Sequence, residues 1–317
     1  MAKKKTTSYH TPMWLADELD KQNLAFEDEI WNDYYKDQAT EFDYKFEKDA
    51  AIKKSLRSAR IAGTLVGCAA GDALGAPYEF GPPIPKSTPI GMIGGGPFNW
   101  APGEWTDDTS MAVPIAQAIA RGEFLLDDAV LADIVSDWKE WASTAKDVGS
   151  QTRSVLSRIK NPSEAEARAI SQAHHERSGM SGGNGALMRT APVALAFLYD
   201  DEQDAADLTE AARRIAELTH WEDHAGDACV LWTHAIRNAI NTGELELLPF
   251  VDFLPKERRE YWTDKITEAE LNQPAHFSRN NGWVVAALQG AWSAIYHSYN
   301  FVDTVEAAVR GGGDTDT

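Results

Sequence analysis

The chain has 317 residues, enough to bury one large core, and 43% of them are hydrophobic, as is ordinary for a folded globular protein. Its formal net charge of −19 at pH 7 creates a negative field that repels phosphate backbones and anionic lipid headgroups. The composition therefore argues against nucleic acid and against a membrane as partners.

The first residues of the chain and its two cysteines bear on the cellular location of the protein. MAKKKTTSYH is basic, but no apolar stretch follows it, and no segment reaches the roughly eighteen apolar residues of a membrane span. Cys68 and Cys229 stand in apolar helical contexts without a neighbour at metal-ligand spacing. We therefore expect a cytoplasmic protein without a disulfide framework or a zinc knuckle.

Residues 1–55 differ from the rest because acidic and aromatic side chains alternate there. One interpretation is one or two amphipathic helices that pack on the main domain. The other is an arm that docks on a basic partner through aromatic anchors. In either case we divide the chain into an N-terminal extension, 1–55, and a helical domain, 56–317.

Helical spacing of apolar residues dominates from about residue 54 onward, and strand signals are scarce. The spacing therefore predicts an all-α fold, a large multi-helix bundle with functional loops between its helices. After the Ala-rich segment that ends near residue 75, the predicted helices are 108–121, 125–144, 150–160, 163–176, 184–198, 203–219, 225–241, 265–271 and 283–297.

Two acidic motifs are the main candidates for chemistry: TDDTS at 106–110 and GGGDTDT at 311–317. Each alone is typical of a helix cap or, for the second motif, of an exposed turn. Together they offer carboxylate and hydroxyl oxygens without Cys or clustered His, a donor set that suits Mg²⁺ or Mn²⁺. If the four aspartates converge, bound cations would relieve their repulsion and could activate water.

Three further segments are candidate ligand contacts. GDALGAPYE at 71–79 ends in Glu79, a carboxylate placed just before a Gly/Pro-rich loop, where it could act as acid, base or ligand. GMIGGGP at 91–97 and SGGNGALMR at 181–189 are Gly-rich, and backbone amides in such loops attract phosphate without lysines. Glu79 could equally be a solvated surface residue, and Gly-rich turns are common.

Six motifs, in their order and spacing, resemble the ADP-ribosylglycohydrolase family, which includes the dinitrogenase-reductase-activating glycohydrolases. The resemblance covers about 58–317. The motifs are GDALGAPYE, WTDDTS, DVGSQT at 147–152, GNGALMRTAP at 183–192, THWEDHA at 219–225 and GGDTDT at 312–317.

The resemblance implies an orthogonal bundle of α-helices with two Mg²⁺ (or Mn²⁺) ions at the mouth of an ADP-ribose cleft. The family pattern continues from DTDT into a long helix, whereas the sequence given stops at Thr317. The implied metal ligands are Thr106, Asp107, Asp108, Asp314, Asp316 and Thr317. The implied catalytic residues are Glu79, Asp107, Asp108 and Asp316. The implied substrate contacts are Gly94, Gly95, Gly96, Ser181, Gly183, Asn184, Gly185 and His220.

The activity implied by the resemblance is removal of ADP-ribose, arginine-linked by analogy, from a modified protein. Serine-linked, guanine-linked and O-acetyl-ADP-ribose substrates stay open. The segment 1–55 resembles the extension of bacterial immunity proteins in this family, which act against ADP-ribosylating toxins. The alternative is a binding protein whose N-terminal arm occludes an ADP-ribosyltransferase toxin independently of catalysis. A member without catalysis, like certain eye-lens homologues, fits poorly because the acidic motifs are intact.

Other patterns are weaker. GMSGG at 179–183 has the G-x-S-x-G spacing of a serine-hydrolase elbow, but a polar helical segment precedes it rather than a buried strand. His220 and His224 lie four residues apart, yet HWEDH is not the HExxH zinc motif. The pair His174 and His175 is typical of a solvated helix face.

Overall fold

The computed structural model describes residues 41–199 and 201–317, with side chains from residue 51 onward. The interpretations offered for residues 1–55 therefore lie largely outside the described residues, and the division at residue 55 stays a prediction. Residues Arg57–Thr317 form one compact unit.

The all-α prediction is confirmed. The described residues form ten α-helices joined by loops and short 3₁₀ turns, and they contain isolated β-bridges but no strand. The helices are α1 (Glu41–Gly75), α2 (Asp107–Ala120), α3 (Asp128–Ala142), α4 (Ser150–Leu156), α5 (Glu164–Ser178), α6 (Glu202–Glu217), α7 (Asp223–Thr242), α8 (Lys256–Leu271), α9 (Val284–Tyr296) and α10 (Phe301–Gly311).

The prediction of one helix over 184–198 is wrong. The structure has two 3₁₀ helices there, Asn184–Ala186 and Ala191–Ala196. Pro192 lacks the backbone N–H that a continuous helix needs, and its ring disfavours helical backbone before it. The loop that enters the segment is rich in glycine, which also weakens a helix.

Other helix bounds shift by a few residues, and two differences are larger. Helix α8 begins nine residues before the predicted start because its first half, KERREYWTDK, is polar on most sides and carries little apolar periodicity. Helix α10 was not predicted at all. Its start is capped by Asn300, whose side chain accepts a hydrogen bond from the Asp303 N–H at 3.0 Å.

Two apolar clusters form the core. One joins α2, α3 and α6 through residues such as Ile134 and Leu208, and the other joins α7, α8 and α9 through residues such as Trp262. Arg189 is fully buried, with its guanidinium 4.1 Å from the centroid of the Trp138 ring. This cation–π contact helps to compensate for burying the arginine charge.

An apolar cavity of about 630 Å³ is lined by residues of α1, α7, α9 and α10. Asp108, Asp316 and Thr317 lie at its border. Asp108 and Asp316 thus place carboxylates at the edge of a mainly apolar space, which makes their charge costly. None of the helices in the described part of the chain is long and apolar enough to cross a membrane.

Candidate active site

The first acidic motif lies at the N-terminus of α2, where Thr106 is the N-cap and accepts a hydrogen bond from the Asp108 N–H at 3.3 Å. Asp72 reaches across from α1. Its carboxylate accepts from the N–H groups of Thr106, at 2.8 Å, and Thr109, at 3.0 Å. Backbone N–H groups of the first turn, which have no acceptor within the helix, thus find acceptors in side chains. The backbone that carries Asp107 and Asp108 is thereby held in place.

The second acidic motif follows a helix and is not an exposed turn. Helix α10 ends at Gly311, residues 312–317 have irregular backbone, and Asp316 is only 8% exposed. The segment passes so close to the end of α1 that a Cβ on Gly75 would lie 1.9 Å from the Thr315 carbonyl oxygen. Only glycine at position 75 permits this approach.

Two asparagines hold Asp314. The Asn281 amide donates to the Asp314 carbonyl at 2.9 Å, and its oxygen accepts from the Asp314 N–H at 2.9 Å. The Asn184 amide donates to the Asp314 carboxylate at 2.8 Å. Asn184 therefore connects the Gly-rich loop 181–185 to the acidic cluster.

Carboxylates from four parts of the chain converge here. Oxygens of Glu79, Asp314 and Asp316 all lie within 4.8 Å of one another, and so do oxygens of Asp107, Asp147 and Asp316. Asp316 belongs to both triads. Asp108 is fully buried beside them, and its carboxylate is hydrogen-bonded by the hydroxyls of Thr106, at 3.4 Å, and Thr317. The two acidic motifs thus meet in space.

The crowding raises the pKa values of these acids. Burial, together with the charges of Asp314 and Asp147, raises the pKa of Glu79 to about 8. Burial and the Asp147 charge raise the pKa of Asp107 to about 7. Burial first, and neighbouring carboxylates second, hold the pKa values of Asp108 and Asp316 well above the ordinary range. The cluster therefore resists accumulating negative charge on its own.

The residues present fit divalent cations. Both triads consist only of carboxylates, the ligands that Mg²⁺ and Mn²⁺ prefer. Glu79 Oε2 and Asp316 Oδ1 are buried and have no hydrogen-bond partner among the described residues. Because such orphaned oxygens are costly and rare in folded proteins, a bound cation is a natural partner for them.

The loop that contains Gly94, Gly95 and Gly96 lies beside the end of α1, and all three glycines have positive φ. A Cβ on Gly96 would lie 2.8 Å from the Ala76 carbonyl oxygen. The Gly95 N–H donates to the Trp100 carbonyl at 2.8 Å, so that amide is engaged within the loop. A phosphate would have to use other amides here.

Buried and half-buried side chains hold loop 181–185 in place. The Ser181 N–H donates to the Glu222 carboxylate at 2.9 Å, and the Ser181 hydroxyl lies 2.7 Å from Nδ1 of His175. The His220 ring is buried directly under Gly183 and Gly185, where added Cβ atoms would meet it at 3.3 Å and 3.0 Å. His220 therefore supports the loop from below.

The weaker histidine patterns have different outcomes. His175 is not simply a solvated residue, because it is half-buried and contacts Ser181. His224 stacks on Tyr261, with ring centroids 4.8 Å apart, and lies edge-on to Trp283 at 6.1 Å. Neither carboxylate triad among the described residues includes a histidine.

Sequence reasoning missed Asp72, Asp147 and Asn281. Asp147 opens DVGSQT, so its motif was recognised but its side chain was given no role. Asp72 lies inside GDALGAPYE, where only Glu79 was given a role. Asn281 follows another asparagine in an unremarkable loop, and no local signal marks it.

The comparisons agree with this geometry. A family model described as ADP-ribosylglycohydrolase matches residues 53–317. The chain belongs to the ADP-ribosylglycohydrolase family. This membership confirms the resemblance, and it makes the chain a glycohydrolase.

Similar proteins carry related names. The chain is 31% identical to ADP-ribosylarginine hydrolase Tri1 of Pseudomonas putida, over 81% of this chain and 67% of that protein. It is 28% identical to ADP-ribosyl-[dinitrogen reductase] glycohydrolase of Rhodospirillum rubrum, over 81% of both chains. A solved structure, the ADP-ribosylglycohydrolase-related protein complex, matches with a TM-score of 0.64 and 28% identity, covering 83% of this chain and 84% of that one. The ADP-ribosylglycohydrolase fold thus extends over most of the chain.

Proposed function

We propose that this chain hydrolyses the N-glycosidic bond between ADP-ribose and an arginine side chain of a modified protein, with two Mg²⁺ or Mn²⁺ ions. The observation that carries the proposal is the pair of carboxylate triads that share Asp316. The names of the similar proteins from Pseudomonas putida and Rhodospirillum rubrum support the substrate class.

The ligand assignment follows from the triads. Glu79, Asp314 and Asp316 would hold one cation, and Asp107, Asp147 and Asp316 would hold the other. Thr106, Asp108 and Thr317 supply further oxygens beside them. Bound divalent cations supply Lewis acidity, which activates water and orients ribose hydroxyls.

The chain's own residues then manage the protons. Hydrolysis breaks the bond from the anomeric carbon to the arginine nitrogen, joins a water oxygen to that carbon and returns a proton to the nitrogen. Glu79 can use one carboxylate oxygen as a ligand and its other oxygen, which has no hydrogen-bond partner among the described residues, to pass the proton from water to the leaving nitrogen. The Asp107 carboxylate, held by the Gly149 N–H at 3.2 Å, is suited to accept a proton from water.

The two Gly-rich loops would bind the rest of ADP-ribose. Asn184 connects loop 181–185 to Asp314, so a diphosphate held on that loop would place its ribose next to the triads. The stacked rings of His224 and Tyr261 lie beyond Glu222 and offer a flat apolar surface of the kind that suits adenine. His220, being buried, would act by supporting the loop.

The test is release of ADP-ribose from an arginine-ADP-ribosylated protein with Mg²⁺. Wild type and Asp133→Ala, which changes an exposed carboxylate on α3, should release it equally. Asp108→Ala should lower kcat on the order of a thousandfold, because a carboxylate next to the reacting atoms is lost. Equal release by wild type and Asp108→Ala would falsify the proposal.

The toxin-occluding hypothesis concerns residues 1–55 and remains a prediction. Removal of residues 1–40, which precede α1, separates it from catalysis. If the extension occludes a toxin, the shortened chain keeps its turnover and loses affinity for an ADP-ribosyltransferase toxin. If the shortened chain binds the toxin as tightly as wild type, the extension does not serve that purpose.

A further inference from the structure

A second cavity, of about 300 Å³, adjoins the acidic cluster. Two of the residues that line it, Asp107 and Asp147, are members of one carboxylate triad. Three tryptophans, Trp100, Trp105 and Trp141, also line it, and we call the cavity the tryptophan pocket. Any group in this pocket lies next to the proposed reaction centre.

The charge of the pocket favours a cation. Lys146 is the basic residue among those that line it, and its ammonium lies 2.6 Å and 2.7 Å from the two carboxylate oxygens of Glu104. The positive charge of Lys146 and the negative charge of Glu104 neutralise each other. Two divalent cations would neutralise four of the five carboxylate charges in the two triads, so the border of the pocket stays negative and favours a positive ligand over an anionic one.

The aromatic lining favours a flat cation. The Lys146 ammonium lies 5.2 Å from the centroid of the Trp100 ring, so one ring of the pocket already faces a cation. The Trp105 ring is 49% exposed, and Trp141 is half-buried. A guanidinium can stack on such rings and donate to a carboxylate at the same time, which an ammonium does less well.

The Trp100 indole N–H adds a further requirement. Trp100 is 6% exposed, and in the described part of the chain its N–H finds no acceptor. A guanidinium carries only donors, so it cannot satisfy this group. A backbone carbonyl of the peptide that carries the modified arginine can supply the missing acceptor.

We infer that the tryptophan pocket binds the modified arginine and its adjoining peptide carbonyl, and that it thereby selects arginine-linked over serine-linked ADP-ribose. The inference rests on the proposed function and adds to it the site that recognises the arginine side chain released in the reaction. An ADP-ribosylated guanidine keeps its positive charge, whereas a serine O-glycoside is neutral. The pocket can therefore distinguish the two linkages.

Binding of small probes tests the pocket without catalysis. N-acetylarginine amide and its neutral isostere N-acetylcitrulline amide are titrated into the full chain and followed by proton NMR of the probe. Wild type should bind the arginine probe about tenfold more tightly than the citrulline probe. Trp105→Leu should weaken binding of the arginine probe about tenfold, because a cation–π partner is removed.

Phe124→Leu is the matched control, since Phe124 is 53% exposed and lies outside the pocket. It should bind both probes like wild type. Equal binding of the two probes by wild type, or equal affinities of Trp105→Leu and Phe124→Leu for the arginine probe, overturns the inference.

Kinetics provide the second measurement. With an arginine-linked ADP-ribosyl peptide, Trp105→Leu should raise KM about tenfold, change kcat little and leave the affinity for free ADP-ribose unchanged. With a serine-linked peptide, wild type and Trp105→Leu should be equally poor. A fall in kcat at constant KM overturns the inference.

The two proposals can fail separately. If wild type releases ADP-ribose from neither peptide but the probes behave as expected, the proposed function fails and the arginine site stands. If wild type turns over the arginine-linked peptide but Trp105→Leu and Phe124→Leu have the same probe affinities and the same KM, the proposed function stands and the pocket does not bind the arginine.

Discussion

The two acidic motifs look alike in the sequence and are built differently. The first lies on the opening turn of a regular helix, where backbone amides and Asp72 fix Thr106 and its neighbours. The second, residues 312–317, has irregular backbone held by side chains from elsewhere, above all Asn281. The same ligand chemistry can thus be presented by local helix capping or by long-range contacts.

The difference predicts distinct weaknesses. Damage to the support of the first motif should loosen a helix, and so reduce the stability of the fold. Damage to the support of the second motif should leave the fold intact and reduce affinity for metal. Asp316 joins the two motifs, and its removal should affect both triads at once.

The largest effect is expected for Asp316→Asn. Both triads lose a carboxylate, so kcat on an arginine-linked substrate should fall on the order of a thousandfold or more. Glu79→Gln and Asp147→Asn each alter one triad and serve as comparisons within the same cluster. If Asp316→Asn retains more than about a tenth of wild-type kcat, the shared carboxylate is not central.

Next in size is a stability loss for Asp72→Asn. The carboxylate of Asp72 accepts two backbone N–H groups, and the NH₂ of an asparagine cannot accept either of them. One backbone N–H, of Thr106 or of Thr109, therefore loses its acceptor, which should lower the free energy of unfolding by about 2 kcal/mol. Urea unfolding measures the difference. The matched control is Asp127→Asn at the N-cap of α3, because the Asp127 side chain makes no capping hydrogen bond. Similar losses for both variants would contradict the support assigned to Asp72.

Asn281→Ala should affect metal more than stability. It removes the amide contacts to Gly312, at 3.2 Å, and to Asp314. Affinity for Mn²⁺ should fall about tenfold, as is typical when the support of a ligand is lost. Exposed Asn280, changed to Ala, is the control. An unchanged Mn²⁺ affinity in Asn281→Ala would show that the segment keeps its shape without this residue.

The smallest effect is a pH dependence. The folded protein without metal binds protons more tightly than the unfolded chain, since the pKa values of Glu79 and Asp107 are raised to about 8 and about 7. The stability from these protons is complete below the unfolded values near 4 and is lost progressively as pH rises from there through the folded values of about 7 and about 8.

Because cations bind the deprotonated acids, the increase in Tm with Mg²⁺ should grow from pH 6 to pH 8. Thermal unfolding with Mg²⁺ and with EDTA measures it, and Asp316→Asn should show a smaller change. If the increase in Tm caused by Mg²⁺ becomes smaller from pH 6 to pH 8, the prediction is wrong.

The sequence predicted the parts of the molecule that follow local rules. Apolar spacing located α2, α3 and α6 within a few residues, and the capping pattern placed Thr106 before a helix. The donor types in the two motifs predicted a hard-cation site before any geometry was known. Local pattern alone left a cap or an exposed turn open for residues 312–317, because nothing nearby shows that Asn281 and Gly75 pack against them.

The parts that the sequence could not predict depend on tertiary contacts. Asp147 becomes part of the cluster only because the loop after α3 folds back onto Asp107. The tryptophan pocket likewise forms from two segments, 100–110 and 141–147, that are thirty residues apart in the chain. Pro192 gave a local warning against the helix over 184–198, and weighing it more heavily would have corrected that prediction.

The most direct test of the shared cluster is the number of Mn²⁺ ions bound at saturation, measured by isothermal titration or by metal analysis after dialysis. Two ions per wild-type chain, one for Asp147→Asn and none retained by Asp316→Asn are the predicted values. Wild type that binds no Mn²⁺, or Asp316→Asn that binds as many ions as wild type, would contradict the account.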